Sequence, residues 1–358
     1  MNTERYIRQP SAWLPRAGLC GVVVSSRIRL ARNLKATPFP GWAAEEERER
    51  VWHRLRELLA DCPTLQTPDA AGMEELEPLD KQVLFERCLI SREQAGQGAG
   101  SGVAIRPDEA VSVMVNEEDH LRLQSFQPGL ALDAVWETVD RLDSEIEAAT
   151  EYAYSPVLGY LTACPTNVGT GMRASVMLHL PGLVYMKEMN AVVKGMAKIG
   201  LAVRGLWGEG SEAAGNMFQV SNQITLGERE ADLLQHLEQI VQEIVEHEKN
   251  ARWRLFEASE ELVRDRAGRA LGVLSNAHLM ASKEALDLLS DLRLGIDMGV
   301  VSFKRKELVN DLLLCVQPGH LQAFHGHALA ARERDVARAA YVRERIEQAK
   351  NNSDKRTS

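Results

Sequence analysis

The 358-residue sequence predicts an α+β fold: a largely antiparallel sheet flanked by helices, followed by an all-helical C-terminal domain. Three observations predict it. Short β-rich runs alternate with amphipathic helices as far as about Asn222. Hairpin-like loops separate those runs, which favours antiparallel pairing. After Thr225 the β signal nearly vanishes. The domains are expected to be 1–250 and 251–358.

Taken in order, Gly21–Arg29 (GVVVSSRIR) reads as a strand. Glu45–Leu59 sets Val51, Leu55, Leu58 and Leu59 among charges, so a surface helix. Gly96–Gly102 (GQGAGSG) reads as a flexible loop of the lid type. Ala110–Val115 is a buried strand running into Asn116–Arg122 (NEEDHLR), and Leu132–Ala149 is a helix on Leu132, Val135, Val139 and Leu142. Ser155–Ala163, Ser175–Leu180, Leu201–Leu206 and Met217–Val220 are further strands. Glu228–Lys249 carries one apolar stripe from Leu233 to Val245. Helices follow near Arg254–Arg266, Ala270–Ser275, Lys283–Leu294, Lys304–Val316 and Ala330–Ala349, and Asn351–Ser358 reads as a frayed polar tail.

Composition narrows the function. Forty-two Lys+Arg against 51 Asp+Glu leave a net charge of −9, which argues against coating nucleic acid by bulk charge. Cys20, Cys62, Cys88, Cys164 and Cys315 include no CxxC pair, so a zinc site or redox dithiol has no support. Met1–Gly18 holds Arg5, Arg8, Pro10, Pro15 and Arg16 instead of an apolar leader, and no run is apolar enough to span a membrane. A cytoplasmic location is the expectation. No GxxxxGK[ST] loop and no HRD or DFG set occurs.

What remains is a set of arginines and carboxylates at strand ends. Arg27 and Arg29 stand two apart, so a strand puts both guanidinium groups on one face, a spacing suited to a polyphosphate or simply to a solvated face. Glu117, Glu118 and Asp119 follow an apolar strand, where they could hold a cation or only form a polar turn. Cys164–Arg173 (CPTNVGTGMR) joins a thiol, a glycine turn and an arginine, and a thiol near arginines has a lowered pKa unless it is merely buried. Arg204–Gly210 (RGLWGEG) repeats arginine and glutamate in a glycine-rich loop. In the tail, Arg334 and Arg338 lie one turn apart beside Asp335, within a segment 331–358 that holds eight Lys+Arg and five Asp+Glu, net +3.

Together, SSRIRLARN, NEEDHLR, CPTNVGTGMRAS, RGLWGEG and SNQ, in that order, resemble the phosphagen (guanidino) kinases. The likeness is greatest to their bacterial protein-arginine kinase branch, whose RDxxRA motif resembles Arg334–Ala339. The resemblance covers essentially the whole chain. It implies a phosphagen-kinase-like sheet and phosphoryl transfer from ATP, with Mg²⁺, to arginine side chains of proteins. It implies ATP binding by Ser25, Ser26, Arg27, Ile28, Arg29, Cys88, Arg122, Arg173, Ala174, Ser175, Val176, Met177 and Arg204 with Gly205, Leu206, Trp207, Gly208 and Glu209. Glu118, Cys164 and Glu209 are its implied catalytic set; Arg334, Asp335, Arg338 and Ala339 its implied phosphoarginine site.

The family usually has histidine where Cys88 stands, assigned to nucleotide contact. The small N-terminal helical domain of free-arginine and creatine kinases has no counterpart, which favours an open site admitting an arginine on a protein. Implied partners are protein substrates, the zinc-binding activator McsA, the heat-shock repressor CtsR, the ClpC–ClpP protease and a second copy in a homodimer; direct nucleic-acid or membrane binding is not expected. Marking proteins for Clp proteolysis and inactivating CtsR is the implied purpose. A free guanidino-metabolite kinase and a non-enzymatic phosphoarginine-binding regulator are the alternatives.

Overall fold

The computed structural model describes residues 4–15, 21–205, 213–302 and 305–351. Its strands are β1 (Val23–Arg32), β2 (Asp69–Gly72), β3 (Gly102–Ile105), β4 (Val111–Val115), β5 (Leu121–Pro128), β6 (Tyr154–Ser155), β7 (Gly159–Tyr160), β8 (Met172–His179), β9 (Leu201–Gly205) and β10 (Met217–Asn222). The helices are α1 (Glu4–Arg8), α2 (Glu45–Ala60), α3 (Pro78–Glu86), α4 (Arg92–Ala95), α5 (Leu132–Ala149), α6 (Pro181–Tyr185), α7 (Met189–Lys198) and α8 (Glu230–Ala258). After them come α9 (Glu260–Asn276), α10 (Ser282–Asp297), α11 (Glu307–Cys315), α12 (Pro318–His325) and α13 (Ala331–Asn351).

Eight strands form one sheet in the order β2-β3-β4-β5-β1-β8-β10-β9, every neighbouring pair antiparallel. β1 is central because alternate residues Ile28 and Leu30 are fully buried. They join a core with Leu55 and Leu59 of α2, Val135, Val139 and Leu142 of α5 and Leu237, Val241 and Ile244 of α8. That core covers one face of the sheet. A second core gathers Trp13, Phe126 and Met177 with α9–α13 residues such as Leu274, Leu289, Leu312 and Val342. The opposite face is thus only partly covered.

Residue 250 lies within α8, which continues to Ala258; Ser259 then caps α9, its Oγ accepting from Leu262 N at 3.2 Å. Ser155–Ala163, expected as one strand, is instead the short β6–β7 hairpin followed by loop, because Gly159 (φ +77°) turns the chain there. The end of the glycine-rich segment is not free-standing: a Cβ on Gly100 would lie 2.8 Å from Arg48 Cβ, and one on Gly102 2.4 Å from Trp52. Glycine allows that approach to α2. Among the described residues no helix is long and apolar enough to cross a membrane, and none of the cysteines is disulfide-bonded.

Candidate functional site

Strand register assembles the arginines. Across β1 and β8, Arg29 faces Arg173 and Arg27 faces Ser175. Across β1 and β5, Arg27 faces Phe126 and Ala31 faces Arg122. Met177 faces Gln219 of β10, which faces Arg204 of β9. Directly opposed residues share a face. So Arg27, Arg29, Arg122, Arg173 and Arg204 all stand on the sheet face turned away from the first core.

Their electrostatics show crowding. Burial lowers the Arg27 and Arg29 pKa values, Arg29 well below its usual range, and neighbouring arginines push the same way. The Nε atoms of both are buried without a partner. Packed like charges with spare donors fit a polyanion. Arg122 behaves differently: burial opposes its charge, but the adjoining Glu117 holds its pKa above the usual value. Glu117, itself 5% exposed, also accepts from Ser91 Oγ and so fixes the guanidinium from behind.

Beside Arg27 a small, partly open cleft is lined by Trp13, Ser25, Arg27, Cys88, Phe126, Ser175, Met177 and Gln219. The Arg27 guanidinium carbon lies 5.6 Å from the Phe126 ring centroid. Apolar and polar side chains thus alternate around Arg27, next to the arginine face. Cys88 enters it from a left-handed turn (φ +62°) whose carbonyl accepts from Gln124 Nε2 at 2.9 Å. Burial pushes its thiol up despite Arg27, Arg29 and Arg87, so it acts as a neutral wall.

Glu118 stands at the edge of the arginine face, 3.9 Å from Arg122 Nη1. Its carboxyl is 45% exposed, and burial raises its pKa against the pull of Arg122. Asn167 Nδ2 donates to Glu118 Oε1 at 3.4 Å, which ties Glu118 to the loop of Cys164. Cys164 Sγ lies 3.0 Å from Thr166 Oγ1. Asp119 supports both: Oδ1 accepts from Asn33 Nδ2 at 2.5 Å and from Ala163 N at 2.6 Å. Asn167 and Asp119 thus link the turn of Glu118 to the loop of Cys164 at the edge of the arginine face.

Other expected site residues lie elsewhere. Ile28, Ala174 and Val176 are fully buried in the first core, on the far face, because side chains alternate along a strand. Ser26 also points away: its Oγ donates to Gly129 O at 2.9 Å and accepts from Ala131 N at 3.0 Å before α5. These four can meet a nucleotide only through backbone. Gly205 ends β9, while Leu206, Trp207, Gly208 and Glu209 lie outside the described residues. No sequence signal marks Trp13 as a cleft wall; Gln219 follows from β10 alternation once its register is known.

Two family profiles match the chain: "ATP:guanido phosphotransferase, C-terminal catalytic domain" over residues 51–251, and "Protein-arginine kinase McsB C-terminal domain" over 260–357. The protein-arginine kinase of Moorella thermoacetica is 44% identical over 348 residues, 96% of this chain and 98% of that one. The chain belongs to the protein-arginine kinase family. The protein-arginine kinase of Bacillus pumilus is 42% identical over 97% of this chain and 96% of its own. A duplicated taurocyamine kinase from Schistosoma mansoni, solved with transition-state analogue components, aligns with TM-score 0.60 and 26% identity over 68% of this chain and 35% of that chain. Lombricine kinase aligns with TM-score 0.57 at 24% identity, covering 68% of this chain and 70% of its own, a likeness of fold.

The protein-arginine kinase C-terminal region places its RDxxRA segment on α13. Arg338 is 2% exposed; its Nε donates to Val316 O and its Nη1 to Met280 O and Asp335 Oδ1, each at 2.7 Å. Ala339 is fully buried in the second core. Arg334 and Asp335 are only half-buried, with Arg334 Nη1 on Leu329 O at 2.7 Å. Arg338 therefore ties α13 to two loops, and the accessible part of the expected pair is Arg334 with Asp335.

Proposed function

We propose that the chain transfers the γ-phosphoryl group of ATP to a guanidinium nitrogen of arginine in proteins. The observation that carries this reading is the register that sets five arginines on one sheet face with Glu118 and Cys164 at its rim. Arg27, Arg29, Arg122, Arg173 and Arg204 hold the phosphates and offset charge that develops during transfer. Trp13, Cys88, Phe126 and Met177 wall the base. A bound Mg²⁺ would supply further charge neutralisation for the phosphates.

A protonated guanidinium is a poor nucleophile. Glu118 fixes its planar fork and takes the proton as the nitrogen lone pair forms the N–P bond and ADP leaves. Its raised pKa makes it a stronger base than an ordinary glutamate. Glu209 serves as the second carboxylate, and Cys164 orients the fork without attacking phosphorus. Arg334 and Asp335 receive phosphoarginine, with Arg338 positioning their helix. The assignment extends to Clp-directed marking, CtsR inactivation, activation by McsA and a homodimer through the helical region; family membership supports these.

The test is incubation with ATP, Mg²⁺, activator and an arginine-rich protein, followed by mass spectrometry under non-acidic conditions that spare the P–N bond. Absence of phosphoarginine sinks the reading. Rapid turnover of free L-arginine would favour a metabolite kinase instead.

A further inference from the structure

A second, roomier hollow adjoins the cleft beside Arg27, and phosphoryl transfer makes no use of it. It is a partly open pocket of about 290 Å³ where α1 and the segment after it meet the end of α3, α11, α12 and α13. That volume is at the small end for ligand pockets. Leu14, Leu314, Phe324 and Tyr341 give it apolar walls, and the last two rings stack with centroids 5.1 Å apart. Arg334 and Asp335 line no part of it.

The charged groups around the pocket differ in what they already hold. Arg87 is taken: its Nε and Nη2 donate to Glu109 at 2.7 Å each, and Nη2 also to Gln9 O at 3.0 Å. His320 Nδ1 lies 2.8 Å from Glu86 Oε2, and burial keeps the ring below its usual pKa. Arg8 pairs with Glu4 at 3.7 Å in solvent. Asp311 and Arg345 stand apart. Both line the pocket, yet among the described residues neither side chain makes a hydrogen bond or ion pair, with the other or with any third group. The Arg345 guanidinium carbon lies 5.9 Å from the Tyr341 ring centroid. A half-buried acid without a donor carries a desolvation cost that a ligand cation would relieve.

One open acid, one open arginine and an apolar wall match a molecule bearing an ammonium, a carboxylate and an apolar group on a single carbon. We propose that this pocket binds a free α-amino acid, its ammonium on Asp311, its carboxylate on Arg345 and its apolar side chain against Leu14, Leu314 and Tyr341. The pocket also shares a wall with the cleft beside Arg27. Leu14 and Arg87 face the pocket, while their chain neighbours Trp13 and Cys88 face the cleft. Trp13 Nε1 donates to Arg87 O at 3.2 Å within that wall. An amino acid packed on Leu14 holds the wall in place, so its occupancy tightens nucleotide binding. This coupling rests on the kinase reading above; the pocket itself does not.

Calorimetric titration of the full chain with L-leucine and L-phenylalanine reads the site. At least one should bind. Its N-acetyl and amide derivatives, each lacking one charge, should bind about tenfold more weakly. Asp311→Asn and Arg345→Gln should each weaken binding about tenfold, with Tm near wild type, since neither side chain has a partner to lose. Should a variant fail to fold, the two derivatives read the same contacts in the wild type. A saturating amino acid should tighten binding of a fluorescent ATP analogue about fivefold. Binding of neither amino acid, or an affinity untouched by both variants, overturns the site. Amino-acid binding with unchanged nucleotide affinity overturns the coupling. Amino-acid binding that the variants weaken, in a chain that takes up no nucleotide, supports the pocket and overturns the kinase reading.

Discussion

Arg27 and Arg29 each keep a buried Nε without a partner, and that spare donor capacity sets what their replacement does. Arg29→Lys keeps the charge but loses the planar fork, so ATP affinity should fall about tenfold or more. Titration with a fluorescent ATP analogue reads it; undiminished affinity would place the phosphates elsewhere. Glu118→Gln should lower kcat by about 10²–10⁴. In the wild type the acid limb of kcat/KM should lie above the ordinary glutamate value of about 4.3, because burial raises this carboxyl and the reaction needs it unprotonated. His120 gives a stability test. Burial pushes it from 6.5 down to about 4. Between those values the unfolded chain binds more protons, so stability is lost as pH falls through that window, on the order of 3 kcal/mol. His120→Gln should flatten the pH dependence of the urea midpoint; an unchanged slope would contradict it.

At the scale of elements, the Cys164 loop depends on glycine. Gly169 has φ +116°, and a Cβ there would lie 2.3 Å from Thr225 O. Gly169→Ala must shift the loop or Thr225, with strain of about 1–3 kcal/mol. We expect kcat to drop at least about tenfold with a lowered Tm; full activity would show the loop uninvolved in the reaction. The strand elements also show what a sequence discloses. The i, i+2 arginines of β1 were legible because alternation puts them on one face. Ile28, Ala174 and Val176 were assigned by carrying whole motif segments over, although the same alternation buries them. β2 and β3 carry no such signal: four-residue strands whose pairing is non-local leave little periodic trace.

For the whole molecule, the antiparallel sheet and helical C-terminal region were readable from the loss of β character after Thr225. How the second core closes over the sheet was not, since it depends on Trp13, Phe126 and Met177 meeting α9–α13 across long separations. Arg338 marks that junction. Arg338→Ala leaves the Val316 and Met280 carbonyls without their donor and should destabilise by about 2–3 kcal/mol. A denaturant midpoint equal to wild type would return Arg338 to a purely ligand-facing role.

The strand order has a consequence for synthesis. β10 emerges last, yet it inserts between β8 and β9. A chain that stops before Met217 cannot hold Arg204 in the sheet on the same face as Arg173, because β10 joins β9 to β8. The five-arginine face is therefore complete only once the sheet's last strand to be made has inserted between its two neighbours.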